Sequence, residues 1–170
     1  MEPPRLKPSF PLLALVAVAA CDGLGAAPEG GFCVVSTLMP RLVSGGAGIA
    51  SALVEVDLGD MVTGRDPVML TSVHLRRASG GAPLQFVEAA QVSVHGGVGQ
   101  GASLLAAGGT ADDDGTVVLF PTLDTDMDLR ALSSDGRLPL QLDLAGTLPL
   151  GGASLAVQVC VKKITPHGRL

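Results

Sequence analysis

Apolar and polar residues alternate along most of this chain with the period of β-strands. In residues 138–144 the leucines at every second position share one face, while Gln141 and Asp143 point to the other. A period of two over four to eight residues is typical of a strand with one buried face. The pattern predicts eight strands: Phe32–Leu38, Ala52–Leu58, Val68–Arg76, Ala89–His95, Ser103–Ala107, Thr116–Phe120, Leu138–Leu144 and Leu155–Val161.

The segments between these strands are rich in residues that favour turns. Asp114-Gly115 closes an acidic turn before the sixth strand, where glycine supplies the positive φ that a tight turn requires. The glycine-rich segment Ser44–Gly48 is interpreted as a flexible connection, and Asp128–Leu132 as one helical turn. No long amphipathic helix interrupts the pattern. It therefore predicts an all-β fold, an antiparallel β-sandwich of seven to eight strands, with a barrel as the alternative.

The first 21 residues have a different pattern. Arg5 and Lys7 precede an apolar run from Phe10 to Ala20, and small residues lead into Cys21. A membrane-spanning helix needs about 20 apolar residues, so the run has the length of a signal-peptide core instead. The segment looks like a bacterial lipoprotein signal, in which residues 1–20 are removed and acyl chains such as palmitate anchor Cys21 to a membrane. A plain secretory signal is the alternative.

This interpretation divides the chain and explains its three cysteines. Residues 21–31 form a predicted flexible tether, residues 32–164 the β-sandwich domain, and residues 165–170 a loose tail. With a lipid on Cys21, Cys33 and Cys160 remain as an even pair in an oxidising compartment, which favours a disulfide. Two unpaired thiols or a metal pair are the alternatives.

Charge and aromatic content exclude some kinds of partner. Removal of residues 1–20 takes away Arg5, Lys7 and Glu2 and leaves 9 basic against 15 acidic side chains, a net charge of −6. A chain without a basic patch has nothing to replace phosphate counterions, so nucleic acid is not an expected partner. The chain has no Trp and no Tyr, which argues against a glycan-binding module.

Four local motifs carry a family resemblance over residues 67–164. They are Phe86-Val87-Glu88 before a strand, the acidic turn Asp112–Gly115, Asp128-Leu129, and the alternating strand Leu155–Val161. This layout resembles small bacterial lipoproteins of unassigned function with an immunoglobulin-like β-sandwich. The resemblance implies that fold and supplies no catalytic residue.

Two groups of side chains suggest metal chemistry. Asp124 and Asp126 have the alternate spacing that opens calcium loops, and Asp112 and Asp114 lie in the preceding acidic turn. The sixth residue from Asp124 is Leu129 where an EF-hand requires glycine, so these aspartates are weak calcium candidates. The pair His74 and His95 lies on two predicted strands and could meet across a sheet, but carboxylate or cysteine spacing to match is missing. His167 falls in the predicted tail.

Together these features predict a function without a catalytic site or cofactor. The sequence contains no Gly-x-Ser-x-Gly, Ser-x-x-Lys or His-Glu-x-x-His motif, so an enzyme is not expected. The prediction is a lipid-anchored, non-enzymatic protein of the bacterial cell envelope that faces the periplasm or the exterior and acts as a binding or assembly partner. Its expected partners are the membrane, through the anchor, and another envelope protein. A calcium-dependent surface or adhesion module is the alternative, and an enzyme with an unrecognised site is the third.

Overall fold

Eight strands form the framework of the protein. The computed structural model describes residues 31–38, 46–78, 84–95, 102–122, 127–148 and 155–164. The strands are β1 (Gly31–Leu38), β2 (Gly46–Asp57), β3 (Val68–Arg77), β4 (Val87–His95), β5 (Ala102–Gly108), β6 (Val117–Pro121), β7 (Arg137–Leu148) and β8 (Leu155–Lys163). Two short 3-10 helices, η1 (Gly59–Val62) and η2 (Leu129–Ala131), lie between them.

All eight strands belong to one curled antiparallel sheet with the order β1-β8-β3-β6-β5-β4-β7-β2. Strand β6 joins its two sides, because residues 117–119 pair with β3 and residues 120–121 pair with β5. We call β1, β8, β3 and residues 117–119 the β1 half, and the remaining strands with residues 120–121 the β2 half. The edge strands β1 and β2 approach to within 8 Å between Cα atoms, but no ladder joins them in the described ranges.

The predicted all-β antiparallel fold is confirmed, and each of the eight predicted strands is present. The finer prediction of a sandwich of two sheets with immunoglobulin-like topology is not confirmed. The physical reason is β6, whose two ends form hydrogen-bonded ladders with different neighbours and so make the sheet continuous. A pattern of alternation specifies which face is buried, and the pairing partner is a non-local property.

The buried face of the sheet follows the predicted alternation. Buried apolar side chains from β2 through β8 form a single cluster, and Val34 of β1 packs against it. The four leucines of β7, at positions 138, 140, 142 and 144, are all 2% exposed or less. Full burial of a side chain of this size contributes about 1.5–3 kcal/mol, so β7 is a major source of the stability of the sheet.

Strand β2 is longer than its alternation pattern predicts. The glycine-rich segment interpreted as flexible is part of it from Gly46 onward, whereas residues 44–45 lie outside the described ranges. Residues Gly46–Ile49 pair with residues 145–148 of β7. The prediction of a flexible connection was wrong here, because glycine and alanine carry no hydrophobic alternation, while β7 supplies a paired neighbour all the same.

Two residues of β7 have special positions. Pro139 lies inside β7 opposite Glu55, and the ladder to β4 ends at Leu140, next to the proline. Gly146 has a φ of 146°, and a Cβ there would stand 2.0 Å from the backbone oxygen of Phe86. Only glycine allows β7 and the start of β4 to approach this closely.

Candidate interaction surface

The outer face of the edge strand β2 carries two large apolar side chains. Ile49 is 75% exposed and Leu53 is 76% exposed, while Ala52, Val54 and Val56 lie in the core. Among the described strands, β2 forms a ladder with β7 alone, and β1 approaches it to within 8 Å between Cα atoms without a ladder. An edge strand presents backbone N–H and C=O groups on its unpaired side, so a strand that pairs with β2 would also contact these apolar side chains from the side.

Strand β2 lacks three of the features that protect many sheet edges: proline, basic residues and a bulge. It contains no Pro, Lys or Arg, and its register with β7 runs over twelve residue pairs without a shift. Its charged residues, Glu55 and Asp57, both lie at its C-terminal end. The other edge strand, β1, exposes Phe32 and Val35 as well, but by smaller fractions. Long edges without a bulge or a basic residue are the ones that accept another strand.

A carboxylate network lies beside Leu53 and Ile49 and holds β2 to its neighbours. Asp143 of β7 accepts hydrogen bonds from Ser51 of β2, from Gln91 of β4 at 3.3 Å and from Gln141 at 3.0 Å. A bridge of 3.1 Å between Glu55 and Arg137 adds a further link between β2 and β7. These bonds use the polar side chains of the outer face to position β2, which leaves its apolar side chains as the available contact surface.

A shallow depression of about 520 Å³ opens at the C-terminal end of β2. It is lined by Glu55, Ser134, Asp135, Arg137 and Pro139. The Asp135-Gly136 pair forms a tight turn with both residues at positive φ, closed by hydrogen bonds of 2.8 Å between the backbones of Ser134 and Arg137. The depression is open and carries charges of both signs, so it resembles the rim of a contact surface more than an enclosed ligand site.

Cys33 and Cys160 form a disulfide, in agreement with the predicted pairing. The two residues lie directly opposite each other in the antiparallel ladder between β1 and β8, with 4.1 Å between their Cα atoms. Cys160 is 1% exposed. The bond therefore fastens the edge strand β1 to the interior strand β8, near the two ends of the described chain.

His74 belongs to a polar row on the outer face of the β1 half. Its Nε2 lies 2.9 Å from the hydroxyl of Ser72, and Gln158 lies opposite it in the ladder of β3 and β8. Burial lowers the pKa of His74, nearby Arg76 lowers it further, and Asp112 acts in the opposite direction. Gln158 is 5% exposed, and among the described residues its Oε1 has no hydrogen-bond partner. The row thus favours the neutral form of the imidazole.

The structure does not bring the two candidate histidines onto neighbouring strands. His74 lies on β3 and His95 on β4, and β6 and β5 separate these strands in the sheet. A shared metal site across one ladder, the geometry that the sequence suggested, is therefore not formed by their strands. Within the part of the chain that the structure describes, no group of three or more His, Cys, Asp or Glu side chains could hold a metal ion.

The candidate calcium aspartates that the structure describes take part in local backbone turns. Asp112 accepts a hydrogen bond of 2.8 Å from the backbone N–H of Thr116, and Gly115 donates one of 2.9 Å to the Asp112 carbonyl. This is the predicted acidic turn, with Gly115 at a φ of 74°. Asp114 is exposed at its tip. Asp124 and Asp126 lie outside the described residues, so the calcium prediction stays a prediction.

Asp128 stabilises the junction between η2 and β3. Its carboxylate accepts hydrogen bonds from the side chain of Arg130 at 2.8 Å and from the backbone N–H of Val68 at 3.0 Å. Arg130 also donates to the Gly64 carbonyl at 2.8 Å. The side-chain hydrogen bond from Arg130 is the largest cause that lowers the pKa of Asp128, from 3.8 to about 2. Burial opposes this shift, and the backbone hydrogen bond from Val68 adds to it. Asp128 and Arg130 are therefore a structural ion pair.

The N-terminal predictions fall on residues that the structure does not describe. Cys21, the signal segment 1–20, the tether up to residue 30, His167 and the tail 165–170 all lie outside the described ranges. In the described ranges, no helix has the length and apolar content needed to cross a membrane. No protein-family model matches the chain, and no curated protein matches it either.

Proposed function

We propose that this protein is a lipid-anchored, non-enzymatic component of the bacterial cell envelope that acts as a binding or assembly partner, with β2 as its contact strand. The observation that carries the proposal is the position of the exposed Ile49 and Leu53 on a strand that, among the described strands, has a ladder on one side only. Isolated apolar residues are common on protein surfaces. Two on the same outer face of an unprotected edge, four residues apart, are suited to pairing with a further strand.

Two observations support the proposed location outside the cytoplasm. The apolar run Phe10–Ala20 and the following Cys21 have the layout of a lipoprotein signal. The Cys33–Cys160 disulfide is of a kind that forms and persists in oxidising compartments. The resemblance to small lipoproteins of immunoglobulin-like fold is part of the same proposal, and the single apolar core between the two halves of the sheet supports it.

The anchor is tested by metabolic labelling with a fatty acid. We expect Cys21→Ser to abolish the label and to leave the chain uncleaved or soluble. The matched control is the double variant Cys33→Ala, Cys160→Ala, which keeps the proposed acceptor and should keep the label. Equal labelling of the wild type and Cys21→Ser would contradict the proposal.

The contact strand is tested by recovery of crosslinked partners from intact membranes. A lysine at position 53 places a charge in the proposed contact, so Leu53→Lys should reduce the recovery of a defined partner by at least about tenfold, a cost of about 1.4 kcal/mol. Phe120→Lys is the matched control, because Phe120 is also a large exposed apolar residue but lies on β6. Equal recovery with Leu53→Lys and the wild type would show that β2 is not the contact strand.

A further inference from the structure

We infer that one corner of the sheet, where β1 begins and β8 ends, contacts an anionic phospholipid surface directly. Five exposed residues form this basic corner: Phe32, Arg65, Lys162, Lys163 and Ile164. The inference rests on the proposed function, because it names the part of the fold that meets the membrane to which the protein is anchored. It concerns a region other than the contact strand β2.

The strands divide their charges between the two halves of the sheet. Strands β1, β3 and β8 contain four basic residues, Arg76, Arg77, Lys162 and Lys163, and no acidic one. The strands of the β2 half contain four acidic residues, with Arg137 as their single basic one. The whole chain has a net charge of −5, so the strands of the β1 half form a basic region on an acidic protein. Such a region is attracted to an anionic surface, while the acidic half is repelled from it.

Three basic side chains come together at the corner. Lys162 and Lys163 are consecutive at the end of β8. A Cβ at Gly64 would lie 3.8 Å from Nζ of Lys163, which places this amine beside the loop that contains Arg65. Neither of the two salt bridges within the described ranges involves these three residues. Their charges are therefore available to an anionic partner.

The acidic residues close to the corner are mostly occupied by Arg130. The hydrogen bond from Arg130 to Asp128 raises the pKa of Arg130, and the charge of Asp66 raises it further. The loop before β3, η2 with its cap, and the end of β8 together carry four basic and three acidic side chains. Asp66 and Asp128 are half-buried, which leaves Asp60 as the one exposed carboxylate among them. The exposed charge of the corner is therefore positive.

Two large apolar side chains lie among these basic groups. Phe32 shares the inner face of β1 with Val34, which packs against the core, yet Phe32 is 49% exposed. Ile164 follows Lys163 and is 39% exposed, and its backbone N–H donates to the Pro67 carbonyl at 2.9 Å. Proteins bind the surface of a bilayer with this combination, in which apolar side chains enter the headgroup region and basic groups attract anionic lipids.

The proposed lipid anchor joins the fold at the same corner. Gly31, the first residue of β1, lies opposite Lys162 in the ladder between β1 and β8. Cys21 precedes Gly31 by ten residues, which span at most about 36 Å when fully extended. The far end of β1, at Leu38, lies about 24 Å further along the strand. Among the described parts of β1, the corner is therefore the part closest along the chain to the proposed lipid.

The first test places a fluorescent reporter at the corner of the full chain. The chain contains no Trp and no Tyr, so Phe32→Trp gives a single emission signal. On vesicles of mixed phosphatidylglycerol and phosphatidylcholine we expect a blue-shifted emission, with quenching by brominated lipid at least about fivefold stronger than on phosphatidylcholine alone. High salt should remove most of this difference, because salt screens exposed charges.

The matched control for this reporter is Ile49→Trp. Ile49 is 75% exposed and lies near the start of β2, at the end of the sheet where β1 finishes. Its emission should be the same on both kinds of vesicle. Addition of Arg65→Gln, Lys162→Gln and Lys163→Gln to Phe32→Trp should weaken the preference for phosphatidylglycerol by about a hundredfold, because each basic residue near the surface contributes about fivefold.

The second test measures the amines of the corner in the wild type. Lys162 and Lys163 are the only lysines after residue 20. We expect a water-soluble amine-acylating reagent to modify them at least about fivefold more slowly on the mixed vesicles than on phosphatidylcholine alone, as read by mass spectrometry of the peptides. Asp114→Lys supplies a control amine on the exposed acidic turn, which should react at the same rate on both.

The inference requires both signals, and the absence of either one overturns it. If Cys21 carries the acyl label but Phe32→Trp and the lysines do not distinguish the two kinds of vesicle, the anchor stands and the basic corner is not a membrane contact. If Cys21 carries no label but both signals appear, the proposed anchor is excluded and the basic corner binds anionic lipid without it.

Discussion

The two edge strands of the sheet are attached to their neighbours in different ways. Strand β1 is bound covalently to β8 through Cys33 and Cys160, whereas β2 is held to β7 by a ladder and by surface polar contacts around Asp143. The longer edge is the one without the covalent bond, and it also exposes the larger fraction of its apolar side chains. The disulfide-linked edge thus contributes to stability, and the other edge is the one to which we assign the proposed contact.

The largest expected change in stability concerns β1, the edge strand that carries the disulfide. The double variant Cys33→Ala, Cys160→Ala should lose up to about 4–5 kcal/mol of stability, because the bond closes a loop between residues 127 apart in sequence. Urea unfolding of the variant, beside the wild type with and without reductant, measures this loss. If the unfolding midpoint does not move, the disulfide adds nothing to the stability of the fold, and the two edge strands do not differ in this respect.

The next largest effect comes from a comparison of two leucines, one on the inner face of β7 and one on the outer face of β2. Leu142 of β7 is 1% exposed, so Leu142→Ala should cost about 2–5 kcal/mol. Leu53→Ala removes the same atoms from the outer face of β2 and should change stability by no more than about 0.5 kcal/mol. Denaturant unfolding of both variants provides the comparison. A large loss of stability for Leu53→Ala would mean that this side chain stabilises the fold, which would contradict its proposed role in partner contact.

A smaller effect appears in acid, at the junction that Asp128 stabilises in the β1 half. The pKa of this carboxylate is about 2 in the folded chain and 3.8 ordinarily, so its stabilisation is present above pH 3.8. It is lost as the pH falls through about 2. Thermal unfolding between pH 2 and pH 6 should show a shallower acid decline for Asp128→Asn than for the wild type. Parallel declines would show that the ion pair with Arg130 contributes little.

The smallest expected effect on stability comes from His74, on the outer face of the β1 half. The fold lowers the pKa of His74 below 6.5, so its neutral form is favoured and stability declines as the pH falls below 6.5. His74→Gln should flatten this part of the pH profile, and His95→Gln is the control on the other half. A profile that His74→Gln leaves unchanged would indicate that burial and Arg76 do not lower the pKa of His74 in solution.

Local pattern was sufficient to predict the strands and their buried faces. The leucines of β7 show why: burial on one side of a strand imposes alternation, and alternation is visible in the sequence. The first six residues of β2, residues 46–51, were missed because Gly46, Ala47 and Gly48 carry no such pattern. Ile49 was therefore not recognised as part of an edge, although it is one of the two residues on which the proposed contact depends.

Pairing between distant segments could not be predicted in the same way. The number of cysteines predicted the Cys33–Cys160 bond, but their facing positions in a ladder follow from the register of β1 and β8. The continuity of the sheet follows from β6, a strand of five residues that pairs on both sides. Asp128 was one of a series of acidic residues in the sequence, and its roles depend on Val68, which is 60 positions away.

The bond between Cys33 and Cys160 also makes the described part of the chain a nearly complete covalent ring. One peptide-bond cleavage anywhere between these residues opens the ring without separating the two products. A pulling force on the N-terminus passes directly through the sulfurs from β1 to β8, and the strands between them bear none of it in series. Under the proposed anchoring at Cys21 outside the cytoplasm, this single bond would protect the fold against both proteolytic cleavage and a pulling force.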